Sequence, residues 1–235
     1  MLFRSFTADA SHELRTPLTA MQTIIGVVRE TRRSPEHYEK ALDDLAGETN
    51  RLRELVENLL QLARTDVGST SLSKSVDLST LLRDVVEVMS PLAEAKALTL
   101  ICTMPGNLVI TGSSDDLVRL FINLVDNAIK YTDRGKITLQ AKSKEEWVEV
   151  TLSDTGIGID REHVHHLFDR FYRVDLSRSI RGNGLGLSIA QAIVQAHQGQ
   201  IDVLSELGQG TTFTVQLPIA ASQPNSLSHL ENQTF

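Results

Sequence analysis

The chain has 235 residues, with 23 Lys and Arg against 30 Asp and Glu, a net charge of −7 and a pI near 5.5, a balance that argues against a general nucleic-acid binder. It is 41% hydrophobic, enough for one or two cored domains, yet it holds no apolar run long enough to span a bilayer and no secretory signal, so a cytoplasmic segment without membrane contact is expected. The lone cysteine, Cys102, excludes an internal disulfide and a thiolate metal cluster.

The first predicted element is a helix. Phe6, Ala10, Leu14, Leu18, Met21, Ile25 and Val28 recur at steps of four or three, which paints one face and leaves His12 off the seam as an exposed imidazole. A free imidazole has a pKa of about 6.5, so near neutrality one ring nitrogen carries a lone pair able to attack phosphorus. Glu13 can hold the other nitrogen, and Thr16, one turn on, can position a water. Pro17 removes a backbone donor just after these residues and should bend the helix. Ser34 and Pro35 mark the start of a second helix, capped by Ser34, whose seam reads Tyr38, Leu42, Leu45, Thr49, Leu52, Val56, Leu59 and Ala63. Two helices joined by a short turn make a poor core alone, so the hairpin of residues 1–65 is expected to pair with a copy of itself as a homodimeric four-helix bundle. Residues 66–75 are polar and small and are read as a linker.

From Val76 the pattern is mixed. Leu78 to Ala95 is an apolar-periodic helix, Leu98 to Thr103 and Leu108 to Ile110 are short strands, and Asp115 to Tyr131 is a helix with Ser114 as its cap. Lys136 to Ala141 and Trp147 to Leu152 alternate as antiparallel strands. Helix Leu185 to His197 and strands Gln200 to Leu204 and Thr212 to Leu217 complete an α/β sandwich over residues 76–220, and 221–235 read as a disordered tail.

Within this half, Asn123, Asn127, Lys130 and Tyr131 fall on one helix face. Amide oxygens there suit Mg²⁺, which keeps waters and phosphates as its other ligands, and Lys130 supplies charge for phosphate. Asp154 opens DTGIGI at a strand end; its carboxylate can accept from an exocyclic amine while Gly156 and Gly158 let the backbone approach a flat base. Val174 to Gly182, with Arg178 and Arg181, is polar and aperiodic and reads as a lid. In GNGLGL, residues 182–187, glycines free the N–H groups at a helix start for phosphate oxygens. His163, His165 and His166 have the look of a metal cluster but the spacing of a solvated surface.

SHELRTPL at 11–18 resembles the H-box of HisKA-type sensor histidine kinases, NLVDNAIKY the N-box, DTGIGI the G1 box, LFDRFYRV at 167–174 the F-box, GNGLGL the G2 box and GQGTTF at 208–213 the closing Gly-Thr-Thr element. The resemblance implies a dimeric helical hairpin followed by an ATP-binding α/β sandwich of the Bergerat type. It implies that His12 is the phosphoacceptor, with Glu13 as its general base and Thr16 aiding dephosphorylation. It implies that Asn127, with Asn123 as a second candidate, binds Mg. Asn123, Lys130, Tyr131, Asp154, Gly156, Gly158, Tyr172, Arg173, Gly182, Gly184, Leu185, Gly186, Leu187 and Thr212 would then hold ATP. The implied function is an ATP-dependent protein-histidine kinase that passes its phosphoryl group to an aspartate of a response-regulator receiver domain and also acts as its phosphatase. The alternatives are a non-phosphorylating ATP-binding scaffold and an ATPase of the same nucleotide fold; the latter is disfavoured because such enzymes use a carboxylate where Asn123 stands. Two departures are Gln209, for a frequent Lys, and HQGQ at 197–200, for a common HGG. Few residues precede His12, so an upstream signal-bearing segment is expected in a longer parent.

Overall fold

In a computed structural model, residues 2–66, 74–174 and 183–219 are described. The predicted tail at 221–235 and the whole of the predicted lid beyond Val174 lie outside them.

Two long helices come first, α1 (Leu2–Glu30) and α2 (Pro35–Asp66). α1 runs through Pro17 without a break, and Pro17, which cannot donate, leaves the Glu13 carbonyl without its helical partner. The hydroxyl of Ser34 meets the His37 ring at 3.0 Å, while its carbonyl accepts from the His37 and Tyr38 N–H groups. The hairpin seam differs in phase from the sequence reading. On α1 the less exposed positions include Ala10, Leu14, Pro17, Met21, Ile24 and Val28, and on α2 they include Ala41, Leu45, Glu48, Leu52, Leu55, Leu59 and Leu62, each set running in steps of four and three. Leu18, Ile25, Leu42 and Val56, assigned to the seam from periodicity, point outward, with Leu42 65% exposed. Each helix thus carries two overlapping apolar stripes, and a one-dimensional pattern cannot say which one faces the other helix of the same chain.

The second half is a sandwich. β1 (Lys74–Asp77) pairs antiparallel with β3 (Val109–Gly112), so Lys74 and Ser75, read as linker, belong to a small sheet. α3 (Leu78–Ala95) is capped by Asp77, whose carboxylate accepts from the Thr80 N–H. The main sheet contains β2 (Thr99–Thr103), β4 (Lys136–Lys144), β5 (Trp147–Asp154), β6 (Gln200–Glu206) and β7 (Gly210–Pro218) in the order β2-β4-β5-β7-β6, antiparallel except for the β2–β4 pair. α4 (Ser114–Tyr131) is capped by Ser113, one residue before the expected Ser114, because the Ser113 hydroxyl accepts from the Asp116 N–H. α5 (Arg161–Val164) is a single turn, and α6 is Gly186–Ala196.

Alternation positions the core. Ile137, Leu139 and Ala141 of β4, Val148, Val150 and Leu152 of β5, and Phe213, Val215 and Leu217 of β7 are buried on one face of the sheet. Against this core α4 buries Leu117, Leu120, Phe121, Leu124, Val125, Ala128 and Ile129, each burial contributing roughly 1.5–3 kcal/mol for a large side chain. That apolar face turns the opposite side of α4, with both asparagines, away from the core. α2 joins the same core. Leu55 and Leu62 are buried in it, and the Gln61 amide donates to Asp116 at 2.7 Å and accepts from Arg119 at 3.0 Å.

On the other sheet face Glu149 accepts from Lys142 at 2.8 Å and from Gln216 at 3.0 Å, with Lys144 at 3.5 Å. The Lys142 bond first, then that of Gln216, pulls its pKa from 4.5 to about 2. A depressed carboxylate pKa stabilises the fold above pH 4.5, and that contribution is lost as pH falls toward 2. Glu149→Gln is therefore expected to cost about 1 kcal/mol at pH 7, since the lysines that hold it are exposed, and a small fraction of that at pH 2, where the folded carboxyl is half protonated. Thermal melts at both pH values check this; an equal loss at both would refute it.

Candidate nucleotide cleft and phosphoacceptor helix

A cleft of about 1470 Å³ opens between α4, α6, the end of β5 and the facing side of α2. Asn123, Asn127, Lys130, Tyr131, Asp154, Gly158, Tyr172, Arg173, Gly184, Gly186 and Leu187 all line it. The structure thus brings together residues drawn from four separate motifs. Lys130 pairs with Asp126 one turn earlier, and the Asn123 amide nitrogen donates to the Gly186 carbonyl at 3.3 Å, tying α4 to the start of α6. Leu185, just before α6, makes no side-chain cap bond there, so the N–H groups of the first turn face the cleft without a side-chain cap.

Asp154 is the most constrained of these groups. Its Oδ1 accepts from the Gly156 N–H at 2.8 Å and from the Thr211 N–H at 3.2 Å. Burial pushes its pKa up, while the two N–H bonds pull the other way. Held on one oxygen, the carboxylate keeps the other for a ligand.

Three expected residues stand elsewhere. Leu185 is fully buried in the core beneath the glycines. Gly156 does not line the cleft; a Cβ there would stand 2.3 Å from the Tyr131 carbonyl oxygen, so the backbone at this position closely approaches the end of α4. Thr212 bonds Ser153 at 2.9 Å on the outer face of the sheet, and Thr211 takes the inward place beside Asp154. The alternation Phe213, Val215, Leu217 carried the signal for that swap, since residue 211 shares their parity. Gly182 lies outside the described residues.

Other expectations resolve simply. Among the described residues no group of His, Cys, Asp and Glu could hold a metal ion. His163 and His166 instead bond Tyr172 and Asp169. In HQGQ, His197 is buried, with Nδ1–H donating to the Ile193 carbonyl and Nε2 accepting from the Ser113 N–H. Gln198 has φ of +57°, a conformation easier for the glycine of the commoner HGG.

His12 is apart from this cleft. It is exposed on α1 and lines a shallow hollow of about 560 Å³ with Arg15, Thr16, Thr19, Ala20, Thr23 and Ile24. Glu13 is half-buried beside it, and the Thr16 hydroxyl donates to the His12 carbonyl at 3.2 Å, leaving its lone pairs to solvent. No local signal in the sequence places α2 residues Asn50, Arg51 and Glu54 on the cleft wall, since that depends on how the two halves pack.

Family models agree with this division. Residues 4–68 match the His Kinase A (phospho-acceptor) domain, and residues 112–221 match the histidine kinase-, DNA gyrase B- and HSP90-like ATPase domain. The chain belongs to the histidine kinases. Among curated relatives of this chain, the sensor histidine kinase RppB of Synechocystis is 39% identical over 223 residues, covering 92% of this chain and 49% of that protein. ArlS of Staphylococcus aureus, a signal transduction histidine-protein kinase, is 39% identical over 219 residues, covering 90% and 48%. The chain thus spans about half the length of the curated relatives it matches. Full-length ShkA in complex with AMPPNP is 29% identical, with a TM-score of 0.69 over 92% of this chain and 46% of that one. ThkA in complex with the response regulator protein TrrA, at 23% identity, TM-score 0.73 and 92% and 61% coverage, shares the fold. Among the described residues no helix is long and apolar enough to cross a membrane.

Proposed function

We propose that this chain is a protein-histidine kinase core that phosphorylates His12 from ATP and passes the phosphoryl group to an aspartate of a response-regulator receiver domain. The observation that carries the reading is the pairing, in one chain, of an exposed phosphoacceptor-type imidazole flanked by Glu13 and Thr16 with a separate cleft on which the nucleotide motifs converge. Asp154 reads the adenine amine with its free oxygen, with Thr211 beside it. The start of α6, Lys130 and Arg173 engage the phosphates. The half-buried amide oxygens of Asn127 and Asn123 fit a hard cation that keeps phosphate and water ligands, and Mg²⁺ held there would neutralise charge developing on the transferred group.

In the transfer, a nitrogen of His12 forms the N–P bond as the bond from the γ-phosphorus to the bridging oxygen breaks and ADP leaves. Glu13 takes the proton from the other ring nitrogen. Catalysis is mostly positioning and charge neutralisation. Because His12 does not line the cleft, the ATP-binding half must reach it by moving or from a second subunit. The outward stripe of Leu18, Ile25, Leu42 and Val56 suits a homodimeric four-helix bundle. Residues 1–65 form the phosphotransfer unit and 76–220 the ATP-binding unit, and Thr16, hydroxyl outward, serves the phosphatase reaction. A single Cys102, half-buried and unbridged, fits a reducing cytoplasm. Incubation with γ-labelled Mg·ATP is expected to yield protein label lost in acid and stable in base. ATP turnover without label on the protein would refute the reading.

A further inference from the structure

His163 belongs to none of the nucleotide motifs, yet it lines the cleft on the one-turn helix α5. Its Nδ1 lies 2.7 Å from the Tyr172 hydroxyl, and its Nε2 faces the Glu162 carboxylate at 3.4 Å. A proton on Nε2 toward that carboxylate leaves the Nδ1 lone pair to accept the Tyr172 O–H, so the neighbouring acid selects the tautomer the bond requires. The Tyr172 ring is held a second time by His166, with centroids 5.4 Å apart, and Asp169 in turn grips His166 Nδ1 at 2.8 Å.

The backbone beside Tyr172 is equally fixed. Phe171 donates its N–H to the Gly184 carbonyl at 3.0 Å, and a Cβ on Gly184 would stand 2.7 Å from the Phe171 carbonyl carbon. Only glycine allows that approach, with φ of +68° at Gly184. The Tyr172 side chain and the main chain of the preceding Phe171 are thus anchored from two different elements, α5 and the glycine loop. Nothing in core packing calls for this: His163 is 28% exposed, and its bond sits at the cleft rim beside Arg173.

We propose that His163 is a positioning residue for the nucleotide, fixing the Tyr172 hydroxyl, and with it the following Arg173, at the phosphate end of the cleft. The inference rests on the reading of the cleft as an ATP site. Its chemistry is orientation alone, with no proton or bond transferred.

The test uses the whole chain and titrates Mg·ATP against initial labelling rate and against direct binding of a fluorescent ATP analogue. His163→Ala is expected to raise the half-saturating ATP concentration about fivefold, the scale of one lost hydrogen bond, with the rate at saturation changed less than twofold. Tyr172→Phe should raise the half-saturating ATP concentration likewise, and the double variant should be no worse than Tyr172→Phe alone, because both substitutions remove one bond. His163→Asn, whose side-chain oxygen reaches the Nδ1 position, should recover most of the affinity. Unaltered half-saturation in His163→Ala, or additive losses in the double variant, would overturn the proposal. If the parent chain binds no ATP, it is the reading of the cleft that fails.

Discussion

The His12→Gln variant is expected to take up no phosphoryl label from γ-labelled ATP, a loss on the order of 10³-fold or more, the scale seen when a nucleophile is removed. Glutamine keeps polarity and helix propensity at an exposed position, so α1 should fold as before. Its amide nitrogen has no basic lone pair and cannot form the N–P bond. His12 does not line the ATP cleft, so the variant should bind ATP with unaltered affinity. That dissociation of binding from labelling is the sharper half of the result. Label persisting at the parent level would move the phosphoacceptor elsewhere, and a parallel loss of ATP binding would mean His12 acts through the cleft.

Asp154→Ala is expected to weaken ATP binding by about 100-fold, from loss of one hydrogen bond to a charged group together with disturbance of the loop it organises. The loop matters because the same carboxylate accepts from Gly156 and Thr211, and both N–H groups would be orphaned. Asp154→Asn separates the two effects. It keeps the shape, and its amide oxygen can still take those two N–H groups, but its free side presents a donor where the adenine amine needs an acceptor. Asn should therefore melt close to the parent yet bind ATP nearly as poorly as Ala. Isothermal titration with ATP and a thermal melt of each variant decide the matter; ATP affinity retained in Asp154→Asn would remove Asp154 as the base-reading group. Because burial raises its pKa, ATP affinity should also begin to fall at a higher pH than an exposed aspartate would dictate.

Much of this protein could be read without coordinates because its information is local. Helix α3 begins at Leu78 and ends at Ala95 as the periodicity predicts, since an apolar stripe, an Asp77 cap and flanking polar residues act within a few residues. The strands after Lys136 and Trp147 were equally legible, although they run on to Lys144 and Asp154. The short strand β1 leaves no trace in the sequence pattern, because its four residues carry no alternation and its partner β3 lies far along the chain. The motif match names both Thr211 and Thr212, and only strand parity separates the one beside Asp154 from the one bonded to Ser153.

What spacing along the chain already set out is the candidate chemistry: an imidazole beside an acid, amides along one helix face, a carboxylate before paired glycines. Each depends on spacing along a single element, where helix and strand geometry translate number into direction. Tertiary structure alone decided which of two apolar stripes closes the hairpin, that α2 walls the ATP cleft, that Tyr172 is held by His163, and that His12 stands away from the nucleotide site. Those outcomes come from competition among distant surfaces for burial and for hydrogen-bond partners, and no local pattern records which surface wins.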